Sequence, residues 1–152
     1  MALKCQTMIL IKICGCSGPR KIDYDQAYGL YERLNDTERN FLAPHGNYVD
    51  SPNLLLRLGY VDDEKCCAFC DVYKFKDDID TGVLTVAVDP SMRGKGLGYY
   101  ATKAAIDAAS KFGLTNFVYR VDKKNKPSIG LAEKLGGQLE REDEKMYKFK
   151  IL

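Results

Sequence analysis

Apolar and polar positions recur along this chain with two different periods, and the switches between them mark its elements. Residues 7–14 form a short apolar run that reads as a first strand. Gly15, Ser17, Gly18 and Pro19 make 15–21 a loop. From 23 to about 35 the spacing turns helical, with Ala27, Leu30, Tyr31 and Leu34 on one face. Residues 36–41 read as a short second helix, and 43–53 as a loop containing Pro44, Gly46 and Pro52. Residues 53–61 and 65–75 then read as two strands joined by the acidic turn Asp62-Asp63-Glu64, a hairpin pattern.

The second half is patterned more strongly. Residues 82–88, GVLTVAV, are almost wholly apolar and β-branched, as in a strand buried on both faces. Asp89-Pro90 ends that run. A helix is predicted over 96–112, its stripe made of Leu97, Ala101, Ala104, Ala108 and Phe112, with Gly113 as its C-terminal cap. Residues 116–121 are the next strand, so this β-α-β unit predicts two parallel neighbours. A helix over 127–135 opens with Pro127 in its first position and stops at Gly136-Gly137. Strands at 138–141 and 145–151 close the chain around the turn Glu142-Asp143-Glu144. The order β-α-α-β-β-β-α-β-α-β-β predicts an α/β fold, a mixed sheet with helices on both faces, in one domain of 152 residues.

Composition narrows the function classes. The chain has 23 basic and 21 acidic residues, a formal net charge of +2, too small to imply nucleic-acid binding on its own. Lys123, Lys124 and Lys126 are the one local basic cluster, read either as a solvated loop or as a small binding patch. The six cysteines are Cys5, Cys14, Cys16, Cys66, Cys67 and Cys70. Cys14-x-Cys16 has the wrong spacing for a zinc knuckle. Cys66, Cys67 and Cys70 lie on a strand, where adjacent residues face opposite sides, so no metal is expected. Residues 8–13 are interrupted by Lys12, too short for a membrane span, and lack the order of a signal peptide. The expectation is a cytoplasmic protein with free thiols and no membrane partner, either monomer or homodimer.

The chemistry concentrates at Arg93-Gly94-Lys95-Gly96-Leu97-Gly98, between a buried strand and a helix N-terminus. The first N–H groups of a helix have no intrahelical partner, and the helix dipole adds positive potential there. Glycines let the backbone approach an anion closely, and Arg93 and Lys95 add full charges. This setting predicts a site for a phosphate or diphosphate. A Walker loop is excluded because Gly96 and Leu97 follow Lys95 where Ser or Thr is needed. A Rossmann domain is excluded because no second mononucleotide half follows.

The segment VAVDPSMRGKGLGYYATKAAIDAA resembles the main cofactor motif of the GNAT N-acetyltransferase superfamily, Arg/Gln-x-x-Gly-x-Gly/Ala, with Arg93, Gly96 and Gly98 in the three fixed positions. VDKKNKPSIGLAEKLGG resembles the next motif of that family, through Asn125, Ser128 and Lys134-Leu135-Gly136. The two matches cover residues 82–137, and the wording of the second is most similar to the branch acetylating protein N-termini, ribosomal proteins included. The resemblance implies acetyl-CoA as cosubstrate. It implies a pantetheine arm along Val86, Ala87 and Val88 in a gap between two splayed strands, and an N–H there that polarises the thioester. It implies that N–H groups from Arg93, Gly94, Lys95, Gly96, Leu97, Gly98 and Tyr99 hold the diphosphate, and that Asn125 and Ser128 meet the arm.

The sequence also departs from the family. Many relatives place a glutamate on the strand at 82–88, where this chain offers only the hydroxyl of Thr85. Many place a tyrosine acid after the leucine of the second motif, where Ala132 follows Leu131. Replacement groups are Asp71, Tyr73 and Tyr147, with Tyr100 and the loop residue His45 as further candidates, each more readily read as a structural polar group, a core aromatic or, for His45, a surface loop residue. Cys70 has no histidine partner for a nucleophilic role. The expected acceptor is a primary amine, either a protein N-terminal α-amine or a small amine. The rivals are a toxin acetylating aminoacyl-tRNA and a catalytically silent acyl-CoA-binding module.

Overall fold

The structure, a computed structural model, describes residues 18–42, 52–75 and 77–151. The predicted strand at 7–14 and the loop position His45 lie outside the described residues. The elements run β1 (Arg20–Lys21), α1 (Tyr24–Arg33), α2 (Asp36–Leu42), β2 (Leu54–Asp62), β3 (Lys65–Phe75), β4 (Asp78–Val88), α3 (Leu97–Ser110), β5 (Asn116–Asp122), α4 (Lys126–Lys134), β6 (Gln138–Glu142) and β7 (Met146–Ile151). They form a seven-stranded sheet in the order β1-β2-β3-β4-β5-β7-β6. Among the described strands only β4 and β5 pair in parallel; the other pairs are antiparallel. The mixed α/β sheet expected from the element order is what the chain builds.

Local chemistry sets the boundaries. Asp23 and Gln26 close a capping box at the start of α1, which begins at Tyr24. The helix stops at Arg33, short of the predicted 35, because Leu34 is extended and Asn35 caps the next helix. The Asn35 side chain accepts from the Glu38 N–H, and Glu38 accepts from the Asn35 N–H, both at 2.9 Å. Asp63 and Glu64 both take positive φ, giving the two-residue turn that matches strand twist between β2 and β3. Arg20 and Lys21, read as loop, instead pair with Gly59 and Leu58 as a two-residue strand. Pro127 sits one residue further into α4 than expected, since Asn125 is the N-cap.

Two apolar clusters sandwich the sheet. On one face α3 and α4 pack Leu97, Ala101, Ala105, Ala109 and Ala132 onto Cys70, Val72, Leu84 and Phe117. On the other, α1 packs Ala27, Leu30 and Leu34 onto Phe69, Tyr73 and Ala87. Cys66 and Cys67 join opposite clusters, Cys67 being the unmatched residue where the register shifts between Tyr60 and Val61.

The face of α3 corrects the predicted stripe. Leu97, Ala101, Thr102, Ala105 and Ala109 are buried, whereas Ala104 and Ala108 are only partly so and Phe112 is 82% exposed beyond the helix end. Alanines at 104, 105, 108 and 109 have equal hydropathy, so periodicity could not choose between adjacent stripes. Thr102 escaped notice as a polar residue, but its hydroxyl bonds the Gly98 carbonyl at 2.7 Å, which lets it be buried.

At Gly59, an added methyl would meet the Ala68 carbonyl oxygen at 2.0 Å and Phe69 Cα at 2.8 Å, both backbone atoms of the adjoining strand. We expect Gly59→Ala to cost at least about 2 kcal/mol in urea unfolding, because β2 and β3 must move apart to admit it. A midpoint matching wild type contradicts this close approach.

Candidate active site

The site begins where two strands part. β4 and β5 pair from Thr81–Asn116 to Leu84–Tyr119 and no further, although β4 runs on to Val88 and β5 to Asp122. From Thr85 to Val88, β4 therefore has β3 on one side and, among the described residues, no strand partner on the other. Val86 and Val88 pack towards α3 and α4, while Ala87 faces α1.

Asp89 fixes the end of β4. Its carboxylate accepts from the Ser91 N–H at 2.9 Å and hydroxyl at 2.6 Å, capping the single 3-10 turn Pro90–Met92. The Arg33 guanidinium of α1 donates to it at 2.6 Å and to the Cys66 carbonyl at 2.6 Å. Burial opposes the charged form, but Ser91 and Arg33 prevail and hold the Asp89 carboxyl down at about 2.

The glycine-rich turn follows at once. Gly94 and Gly96 have φ of +76° and +82°, which favours glycine over any residue with a side chain. Gly96 is the N-cap of α3, and among the described residues no side chain caps that helix, so its first N–H groups have no side-chain partner there. Gly98 lets α3 approach β4: a methyl there would meet Val88 Cγ2 at 3.2 Å. On α4, Asn125 accepts from the Ser128 N–H at 3.4 Å, and the Ser128 hydroxyl meets the buried Tyr119 phenol.

These parts enclose a cavity of about 570 Å³. Of the sequence-predicted cofactor residues, Val86, Ala87, Val88, Arg93, Gly94, Gly96, Leu97, Gly98, Tyr99, Asn125 and Ser128 line it. Lys95 does not; it is exposed, its ammonium 3.9 Å from Met92 Sδ. Cations at Arg93, Lys124 and Lys134 and an uncapped helix end suit an anionic head, while Leu34, Phe41, Leu42 and Leu131 suit a less polar arm. Among the described residues no group of three His, Cys, Asp or Glu side chains is placed to hold a metal ion.

The model of the acetyltransferase (GNAT) family matches residues 20–137. This chain belongs to that family. A curated human relative, the alpha/beta-tubulin-N-acetyltransferase 9 of Homo sapiens, is 36% identical over 77 residues, 47% of this chain. The chain spans only 37% of that relative's length. The ribosomal-protein-S18-alanine N-acetyltransferase from Escherichia coli has the same fold at 20% identity and a TM-score of 0.65, over 88% of this chain and 91% of that one. A PaiA N-acetyltransferase from Thermoplasma acidophilum, solved in complex with coenzyme A, shares it at 16% identity and a TM-score of 0.68, over 87% and 96%.

Within this GNAT fold the three proposed catalytic side chains stand away from the cavity. Asp71 is fully buried and pairs with Arg57 through two bonds of 2.6 and 2.9 Å, and Tyr73 donates to the same carboxylate at 2.7 Å. Burial raises the Asp71 carboxyl above its usual range against the opposing pull of Arg57 and Tyr73; two short parallel bonds to Arg57 mark a charged pair. Burial, then the Asp71 charge, drives the Tyr73 phenol up, so it serves as a donor. Tyr147 is half-buried on β7 opposite Val121, beneath the Lys123 ammonium at 5.1 Å. Tyr100 packs edge-on to Tyr99, 5.5 Å between ring centres. Thr85 is buried with no hydrogen-bond partner for its hydroxyl among the described residues. Ala132 is wholly buried against the sheet. Burial lifts the Cys66 thiol to about 12 and raises those of Cys67 and Cys70 as well, which makes them poor nucleophiles.

Sequence reasoning missed the α1–α2 wall of the cavity, Leu34, Glu38, Phe41 and Leu42. Glu38 forms an ion pair with Arg93 across it. Lys124 and Lys134 also line it, the latter 4.5 Å above the Tyr99 ring. Lys124 was signalled by the basic cluster, from which Lys123 is drawn off by Glu142 at 2.8 Å, and Lys134 only by its place in the second motif.

Two outcomes follow from these contacts. Asp71→Asn leaves the buried Arg57 charge uncompensated and should cost about 3–5 kcal/mol in urea unfolding, with coenzyme A affinity of the folded protein unchanged. A large affinity loss without destabilisation would return Asp71 to the site. The lowered Asp89 value stabilises the fold above the unfolded carboxyl range, near 4, and that contribution fades as pH falls towards 2. Asp89→Asn should therefore cost about 2 kcal/mol at pH 7 and progressively less from pH 5 down, and a pH-independent cost contradicts the linkage.

Proposed function

We propose that this chain moves an acetyl group from acetyl-CoA to a primary amine, and that the amine is a protein N-terminus. One observation carries the reading: the uncapped N-terminus of α3, with Arg93 beside it, opens into the same cavity as the unpartnered edge of β4. Anion site and extended backbone edge are thus spaced for one long molecule with phosphates at one end.

In this reading the N–H groups of the turn and Arg93 hold the diphosphate, and Lys124 and Lys134 add to the positive field at the mouth. The free edge at Val86–Val88 takes the amide-bearing arm as a strand partner and turns an N–H towards the thioester oxygen. The amine lone pair attacks the carbonyl carbon, the C–S bond breaks, and the proton lost by the amine ends on the departing thiolate. With Ala132 in place of a phenol, positioning carries most of the rate. An α-amine, with a pKa near 8, yields its proton more readily than lysine, near 10.4, and suits a site without a strong base. The names of two similar proteins, one for alanine of a ribosomal protein and one for tubulin, speak for a protein acceptor.

The deciding experiment measures thiol release from acetyl-CoA with three acceptors: a peptide with a free α-amine, the same peptide N-terminally blocked but containing lysine, and a polyamine. Release with the first alone is expected. Arg93→Ala should raise the KM for acetyl-CoA about tenfold and flatten its salt dependence, the effect of one lost charged contact of about 1.4 kcal/mol. Coenzyme A binding without release from any acceptor supports the silent module instead.

A further inference from the structure

We propose that Glu38 is the carboxylate that recognises the acceptor's ammonium: Arg93 holds it in the free protein, and the phosphates of acyl-CoA release it by claiming Arg93. This rests on the reading above and adds the acceptor side of the same cavity.

Glu38 is the one carboxylate among the described residues that lines the cavity. Its two oxygens have separate tasks. Oε1 accepts from the Asn35 N–H at 2.9 Å, and the Glu38 N–H is held by the Asn35 side chain at 2.9 Å. This capping box fixes the side chain at the start of α2. Oε2 is left to point across the cavity, where it meets Arg93 Nη1. The side chain is 16% exposed, with Leu34, Phe41 and Leu42 on the same wall. A fixed, half-desolvated carboxylate on an apolar wall needs a cation.

Arg93 supplies that cation only while it is free. It sits in the turn that opens α3, and its other contact, to the Val88 carbonyl, is 3.3 Å long. A diphosphate at the helix end brings full negative charges to the guanidinium and outcompetes a single carboxylate. Glu38 then lies beside an anionic cofactor without its partner. The capping box prevents it from swinging into solvent, and Lys124 in the turn before α4 and Lys134 at its end line the cavity, where the phosphates draw on them. An amine arriving as its ammonium restores the balance. Loaded cofactor and acceptor therefore strengthen each other's binding, and the acceptor binds second.

The test uses Glu38→Gln, because glutamine completes the same capping box and removes only the charge. Calorimetry of the full chain gives two readouts independent of turnover. Coenzyme A should bind the variant severalfold more tightly at low salt, since Arg93 leaves no partner behind. A peptide with a free α-amine should bind the coenzyme A-loaded wild type at least tenfold more tightly than the loaded variant, and the N-acetylated peptide should show no such difference. Melting temperatures within a few degrees of each other confirm that both proteins are folded. Equal peptide affinity in the two loaded proteins overturns the proposal, as does a loaded wild type that binds no α-amine peptide. Weaker coenzyme A binding by the variant also overturns it, and makes Glu38 a positioning residue for Arg93. If loaded wild type binds the peptide through Glu38 yet releases no thiol with acetyl-CoA, the transferase reading fails and the recognition role stands.

Discussion

The parallel ladder between β4 and β5 stops after Leu84 and Tyr119, and the rest of the site depends on that stop. Had the two strands stayed paired to their ends, the edge at Val86–Val88 would be spent on β5 and no cavity would open in front of α3. Antiparallel pairing with β3 continues along the same stretch, Ala68 opposite Val88, so β4 stays in the sheet while its other edge is left open. An unpartnered strand edge inside a fold is costly unless something supplies the missing hydrogen bonds. A ligand with amide groups along an extended arm meets that need.

Charge pairs then fasten the two sides of the opening. Arg33 reaches from α1 to Asp89 at the foot of β4, and Glu38 reaches from α2 to Arg93 in the turn. The first pair is nearly dry on the carboxylate side and carries backbone caps as well, so it acts as a permanent fixture. The second lies at the cavity wall with a half-exposed arginine, where a competing anion can displace it. The same kind of interaction thus serves as an anchor at one position and an exchangeable contact five residues away.

The catalytic half of the chain was legible because its signals are local. A β-branched run, a glycine-rich turn and an alanine-rich helix stand in sequence, and a glycine-rich turn between a strand and a helix end is the local pattern that suits an anion. The strands at 65–75 and 116–121 were found to within a residue for the same reason. What stayed hidden depends on contacts across the sheet. Asp71 was a candidate replacement group or a structural carboxylate; its partner Arg57 lies on the next strand, and no pattern in either names the other. Glu38 looked like the third residue of a short helix, which it is, and only the folded chain brings it to Arg93. The stripe of α3 was misjudged by one position because a run of alanines carries no phase.

At one end of the sheet, β6 pairs among the described residues with β7 alone, and all five of its residues are exposed. Its sequence, Gln138-Leu139-Glu140-Arg141-Glu142, sets three charges along five positions, and Glu140 and Glu142 bond back to Lys148 and Lys123. Any chain trying to extend the sheet there must displace ion pairs and bury charge, so lateral growth by strand addition is opposed. The protein thus has one open strand edge facing its cavity, shaped for a small molecule, and a charged outer edge that resists becoming a template for fibrils.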